Sequence, residues 1–94
     1  SVVQVRNQLH HRVETGKLNR HLERWLAENP PPLHIKHRPK LRYITQVNRL
    51  PVTFVVFVNN RRAVPESYVQ YLKNRIRADF SLDKIPIRIE IRDR

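Results

Sequence analysis

The side chains that could do chemistry here are histidines, hydroxyls and a large excess of cations. The five histidines are His10, His11, His21, His34 and His37. His34 and His37 are three apart, but a metal centre wants a third ligand, and no cysteine or well-placed carboxylate supplies it. No metal site is expected; solvated loop histidines that gain charge at mildly acidic pH fit better. Ser67 stands near an expected helix start, where its hydroxyl would bond local backbone. No Ser-His-Asp ordering and no paired carboxylates stand out, so no catalytic residue is assigned. With no cysteine there is neither a thiol nucleophile nor a disulfide framework. The lone glycine, Gly16, excludes the glycine-rich phosphate loops, which need at least two. The chain does not hydrolyse nucleotides by itself, and no cofactor is expected in it.

The cations are the stronger signal. The chain has 94 residues, 19 of them Lys or Arg and eight Asp or Glu, for a formal charge of +11. From Pro30 to Pro65 there is no acid, while Lys36, Arg38, Lys40, Arg42, Arg49, Arg61 and Arg62 carry positive charge. Charge alone fits an ordinary solvated surface or a phosphate-binding one. The candidate phosphate-binding set is Lys36, Arg38 and Lys40 in one loop, Arg61 and Arg62 in another, and Lys73 and Arg77, four apart on one helix face; RNA, DNA and an anionic membrane are the acidic partners such charge suggests. Trp25 lies on an apolar helical stripe and Tyr43 on the expected core face of a strand. Both read as core rather than as base-stacking platforms.

The elements that must position these residues follow from periodicity. Val2, Val5, Leu9 and Val13 mark an amphipathic helix with no cap at its start, as in a piece of something longer. Thr15 reads as the N-cap of a second helix carrying Leu18, Leu22, Trp25 and Leu26. Pro30, Pro31 and Pro32 end it, since proline lacks the N–H and clashes with the preceding turn. Lys40 to Val47 alternates as a strand with Leu41, Tyr43, Thr45 and Val47 inward. Val52 to Asn59 is a second strand, apolar on both faces. The short link predicts an antiparallel hairpin. Pro65 suits the first turn of a helix carrying Tyr68, Leu72, Ile76 and Phe80. Ile85, Ile87, Ile89 and Ile91 alternate in a last strand. A βαβ crossover makes the last two strands parallel. The expected fold is α+β: a mixed three-stranded sheet with helices on one face, in the order α-α-β-β-α-β. Ile44, Val55 and Phe57 would then face outward as a candidate domain-docking patch, unless the N-terminal helix covers them. No apolar run approaches the ~20 residues of a membrane span, and no signal-peptide pattern is present.

Several short segments carry a family resemblance. They are Thr15 with Leu18-Asn19, the triple proline at 30–32, Tyr43-Ile44-Thr45-Gln46-Val47, and Pro51 through Asn59. Ser67-Tyr68, Tyr71-Leu72 and Pro86-Ile87-Arg88 complete the set. In order and spacing these resemble the C-terminal KH-like domain of the Der (EngA) family, the bacterial double-GTPase ribosome-assembly proteins. The likeness covers residues 13–94. Val52 departs from it, standing where the family has proline. The resemblance implies that residues 1–12 are the tail of the last helix of a preceding GTPase domain. It implies a cytoplasmic protein acting in assembly of the large ribosomal subunit. Its GTP and Mg would belong to two upstream GTPase domains, not to this chain. The implied partners are ribosomal RNA or the large ribosomal subunit, and those GTPase domains.

An ordinary KH domain clamps single-stranded nucleic acid with a Gly-x-x-Gly loop. Here the corresponding segment is Asn59-Asn60-Arg61-Arg62-Ala63-Val64, without glycine. Charge and shape contacts to structured RNA are therefore the expected mode. The alternative is a protein-interaction module that docks on the GTPase domains and regulates them. A free-standing nucleic-acid binder is a third, weaker reading.

Overall fold

The computed structural model describes residues 12–33, 37–48 and 51–94. The expected N-terminal helix, Lys36 and Arg49 lie outside these. Helix α1 spans Thr15–Glu28 and is followed by strands β1 (Leu41–Val47) and β2 (Val52–Val58). A three-residue 3-10 turn, Arg61–Ala63, leads to helix α2 (Glu66–Asp79) and strand β3 (Ile87–Asp93). The sheet order is β1-β2-β3, with β1 antiparallel and β3 parallel to β2. The α+β class, the hairpin and the parallel crossover are those expected from the sequence.

Both helices pack on one face of the sheet. Leu18, Leu22 and Trp25 of α1 and Tyr68, Leu72 and Ile76 of α2 share one core with Ile44, Phe54, Val56, Val58 and Ile87. Each large apolar side chain removed from water contributes about 1.5–3 kcal/mol. This single cluster therefore dominates the favourable side of folding.

The helix boundaries have local causes. Glu14, not Thr15, is the N-cap of α1, and its side chain makes no capping bond. Thr15 begins the helix itself, with its hydroxyl 3.5 Å from that of Thr45. Likewise Pro65 caps α2 from outside the first turn. At the far end of α2, Leu82 N–H donates to Arg77 C=O, and Ser81 takes φ 56°. This is a Schellman-type stop with serine in the left-handed position that glycine usually fills.

The faces of β1 differ from a simple alternation. Leu41 lies opposite Val58 but Tyr43 opposite Phe57, so Arg42 is an extra residue in β1. The bulge moves the following residues to the other face. Ile44, expected on the open face, instead points into the core and is fully buried. Tyr43, expected in the core, is 37% exposed. The edge of β1 is also occupied. Asn19 of α1 donates from Nδ2 to Ile44 C=O at 2.9 Å and accepts Ile44 N–H on Oδ1 at 3.0 Å. One carboxamide thus satisfies a strand-edge peptide that would otherwise be open to pairing.

Candidate nucleic-acid interface

The sheet geometry gathers cations at one end. Because β1 is antiparallel to β2 and β3 parallel to it, the start of β1 meets the ends of β2 and β3. Lys40 therefore lies beside Asn59, at the same sheet end as Asp93 and Arg94. The contacts are explicit. Asn59 N–H donates to Lys40 C=O at 3.1 Å, and Lys40 N–H donates to Asn59 Oδ1 at 2.8 Å. Arg94 N–H donates to Val58 C=O at 2.9 Å, and Arg61 N–H to Asp93 Oδ1 at 2.5 Å.

The turn after β2 is closed on itself. Arg62 N–H donates to Asn60 Oδ1, Ala63 N–H to Asn60 C=O and Val64 N–H to Arg61 C=O. With Arg61 bonded to Asp93, the successive amides of Arg61 to Val64 are internally satisfied. A phosphate cannot use them as it uses the amides of a glycine loop. What this turn offers an anion is the side chains of Arg61 and Arg62, both exposed.

The candidate residues separate into groups. Lys40, Arg61 and Arg62 stand at the same end of the sheet. Arg38 is exposed but its Nη1 donates to Pro31 C=O at 2.7 Å, which ties it to the proline run. Lys73 and Arg77 are half-buried on α2, well beyond its first residue. At 1.5 Å per residue they stand about 10 and 16 Å along the helix. Sequence reasoning missed Arg94, which stands at the same sheet end, whereas Arg42 lines a groove between α1 and β1 with Glu23. The signal was available: a parallel crossover places the end of the last strand beside the end of the second.

The sheet face away from the helices carries Tyr43, Val55 and Phe57, with Arg88, Glu90 and Arg92 of β3 in register beside β2. Val55 is only 1% exposed and Phe57 is half-buried. The Tyr43 and Phe57 rings lie 6.2 Å apart, and the Arg94 guanidinium sits 5.6 Å from the Phe57 ring centre. Arg92 donates to Glu90 at 2.8 Å.

A second polar cluster lies between the helices. Asp79 Oδ2 accepts Trp25 Nε1–H at 2.6 Å, with His21 Nδ1 at 3.3 Å and Arg75 Nη2 at 3.5 Å. Burial opposes its charged form. The bonds from Trp25 and His21 and the Arg75 charge outweigh that and hold the carboxyl below its ordinary range. The Tyr71 and Tyr68 hydroxyls donate to Trp25 C=O and Asn29 C=O, each at 2.8 Å, closing the end of α1. Burial, then the neighbouring Tyr71, raises the Tyr68 pKa. Every member of this cluster is engaged in joining α1 to α2. No group of three or more His, Cys, Asp or Glu among the described residues could hold a metal ion. No helix among them is long and apolar enough to cross a membrane.

Comparison with known proteins agrees with this fold. Residues 12–92 match the model of the KH-domain-like C-terminal domain of EngA bacterial GTPase enzymes. The chain is 47% identical over 83 residues to GTPase Der of Rhodopseudomonas palustris strain HaA2, covering 88% of this chain and 18% of that protein. It is 44% identical over 85 residues to GTPase Der of Treponema pallidum subsp. pallidum, covering 90% and 18%. With GTPase Der of Mesorhizobium japonicum it shares 48% identity over 81 residues, covering 86% and 17%. The chain thus spans under a fifth of the length of these curated relatives. Its mixed sheet, its helices on one face and its match over residues 12–92 place it in the family of KH-like C-terminal domains of the EngA (Der) GTPases.

Proposed function

We propose that this chain is a non-catalytic, RNA-contacting C-terminal domain of a GTPase that acts in assembly of the large ribosomal subunit. One observation carries the reading: Lys40, Arg61, Arg62 and Arg94 stand at one end of the sheet. Asp93 is the single acid in residues 37–64 and 91–94. Such a surface attracts phosphate, and binding to it releases counterions. The internally bonded turn and the engaged aromatic rings favour backbone contacts to folded RNA over base reading. In this reading residues 1–12 are the tail of a preceding GTPase domain and the setting is the bacterial cytoplasm. GTP and Mg belong to domains outside this chain. The test is binding of labelled ribosomal RNA as salt is raised. The affinity should fall on a log–log slope of about 3, reflecting three or four phosphates neutralised. Salt-independent binding, or none at low salt, defeats the reading.

A second use of the domain is supported by Tyr43 and Phe57 on the face opposite the helices, where an aromatic pair remains partly accessible. There the chain would dock on the GTPase domains and regulate them. Phe57→Glu should alter GTP turnover of the whole protein while the isolated fold survives. Unchanged turnover removes this second use.

A further inference from the structure

The cationic end of the sheet is held by polar side chains rather than by burial. Of the turn Arg61–Ala63 only Ala63 is buried. Asn59 fixes Lys40, Asn60 fixes Arg62, and Asp93 fixes Arg61, each through a main-chain N–H. Asp93 is the unexpected member, since a carboxylate among cations repels the polyanion those cations would bind. Its hydrogen bond gives it a different task.

We propose that Asp93 is a positioning residue for RNA contact by Arg61 and Arg62, so that removing this acid weakens RNA binding although it raises the net charge. The inference rests on the RNA reading above. The physical reason is entropic. An exposed three-residue turn without its tie to β3 samples more backbone conformations, and each residue ordered on binding costs about 1–2 kcal/mol. Asp93 meets that cost at folding, when β3 pairs with β2 and Arg94 N–H bonds Val58 C=O. One local repulsion is exchanged for a fixed backbone beneath two exposed arginine side chains.

The test uses three substitutions in the 94-residue chain that change the charge equally: Asp93→Ala, Asp93→Asn and Asp83→Asn. Asp83 is exposed and distant in sequence from the turn. Labelled ribosomal RNA is the probe. Asp93→Ala should bind at least about threefold more weakly, as expected when one hydrogen bond is removed. Its salt slope should stay close to that of the unmodified chain, because both arginines still meet phosphate once bound and only the ordering cost has moved to the binding step. Asp93→Asn keeps an acceptor oxygen and should bind at least as tightly as the unmodified chain. Asp83→Asn should bind slightly more tightly with an unchanged slope. Should Asp93→Ala fail to fold, Asp93→Glu serves instead. It keeps the charge but displaces the acceptor, and should lose affinity. If Asp93→Ala, or Asp93→Glu in its place, binds as tightly as the unmodified chain or more so, the positioning role is overturned and the RNA reading stands. If the unmodified chain does not bind, both fall together.

Discussion

Two aspartates anchor two regions of this domain, and they work in opposite settings. Asp79 lies between α1 and α2 with its side chain only 19% exposed, and gathers the Trp25 indole, His21 and Arg75. Asp93 stands exposed at the sheet end and holds a single main-chain N–H of an arginine-rich turn. The chemistry is the same, a carboxylate accepting from N–H donors. Burial decides what the contact does. Between the helices, leaving a donor unpaired is expensive, so Asp79 determines stability. At the sheet end water can replace any missing partner, so Asp93 determines the shape of a surface. The helical seam should therefore fail in stability and the sheet end in binding.

The largest expected effect is on the seam. Trp25→Ala should cost about 3–5 kcal/mol, because it leaves a cavity in the core and removes the indole donor from Asp79. Urea unfolding followed by circular dichroism measures this, and a cost below about 1 kcal/mol would mean that the seam is not the core. Asp79→Ala should cost about 2 kcal/mol, since the Trp25 donor is stranded. Acid unfolding gives a further check. The Asp79 pKa is lowered in the fold, so its contribution is complete above the ordinary value of 3.8 and lost as pH falls through the lower folded value. In Asp79→Asn that part of the acid loss should vanish; an identical pH profile would break the assignment.

Ser81→Gly should raise stability by about 1 kcal/mol, because glycine takes φ 56° without the Cβ penalty. A measured loss would show that the serine side chain contributes more than its backbone strain costs. The smallest effect on stability belongs to the sheet end. Arg61→Ala with Arg62→Ala should shift unfolding by less than about 0.5 kcal/mol, as for exposed side chains. The same pair should lower the RNA salt slope by about 1.5. A large loss of stability there would erase the distinction between the two regions.

Much of this was legible in the residues. Leu18, Leu22 and Trp25 at helical spacing, and Tyr68, Leu72 and Ile76 likewise, reach the core as their periodicity requires. The alternation of Phe54, Val56 and Val58 does the same for β2. Ile44 and Tyr43 exchange their expected faces for a specific reason. A bulge at Arg42 depends on how β1 sits against β2, and strict alternation carries no sign of it. Of the cations, Arg61 and Arg62 were visible as a pair, but their place at the same sheet end as Lys40 and Arg94 required the pairing of three strands.

The sequence by itself determined the class of the fold, the antiparallel and parallel pairings, the excess of positive charge and the loss of a glycine clamp. These follow from composition, from the strand and helix periods, and from short-range connection rules. The tertiary structure decided which cations share a sheet end and which aspartate is half-buried. It also decided which face of β1 meets the helices. Those outcomes depend on register, and register is fixed only when the strands and helices close on one core.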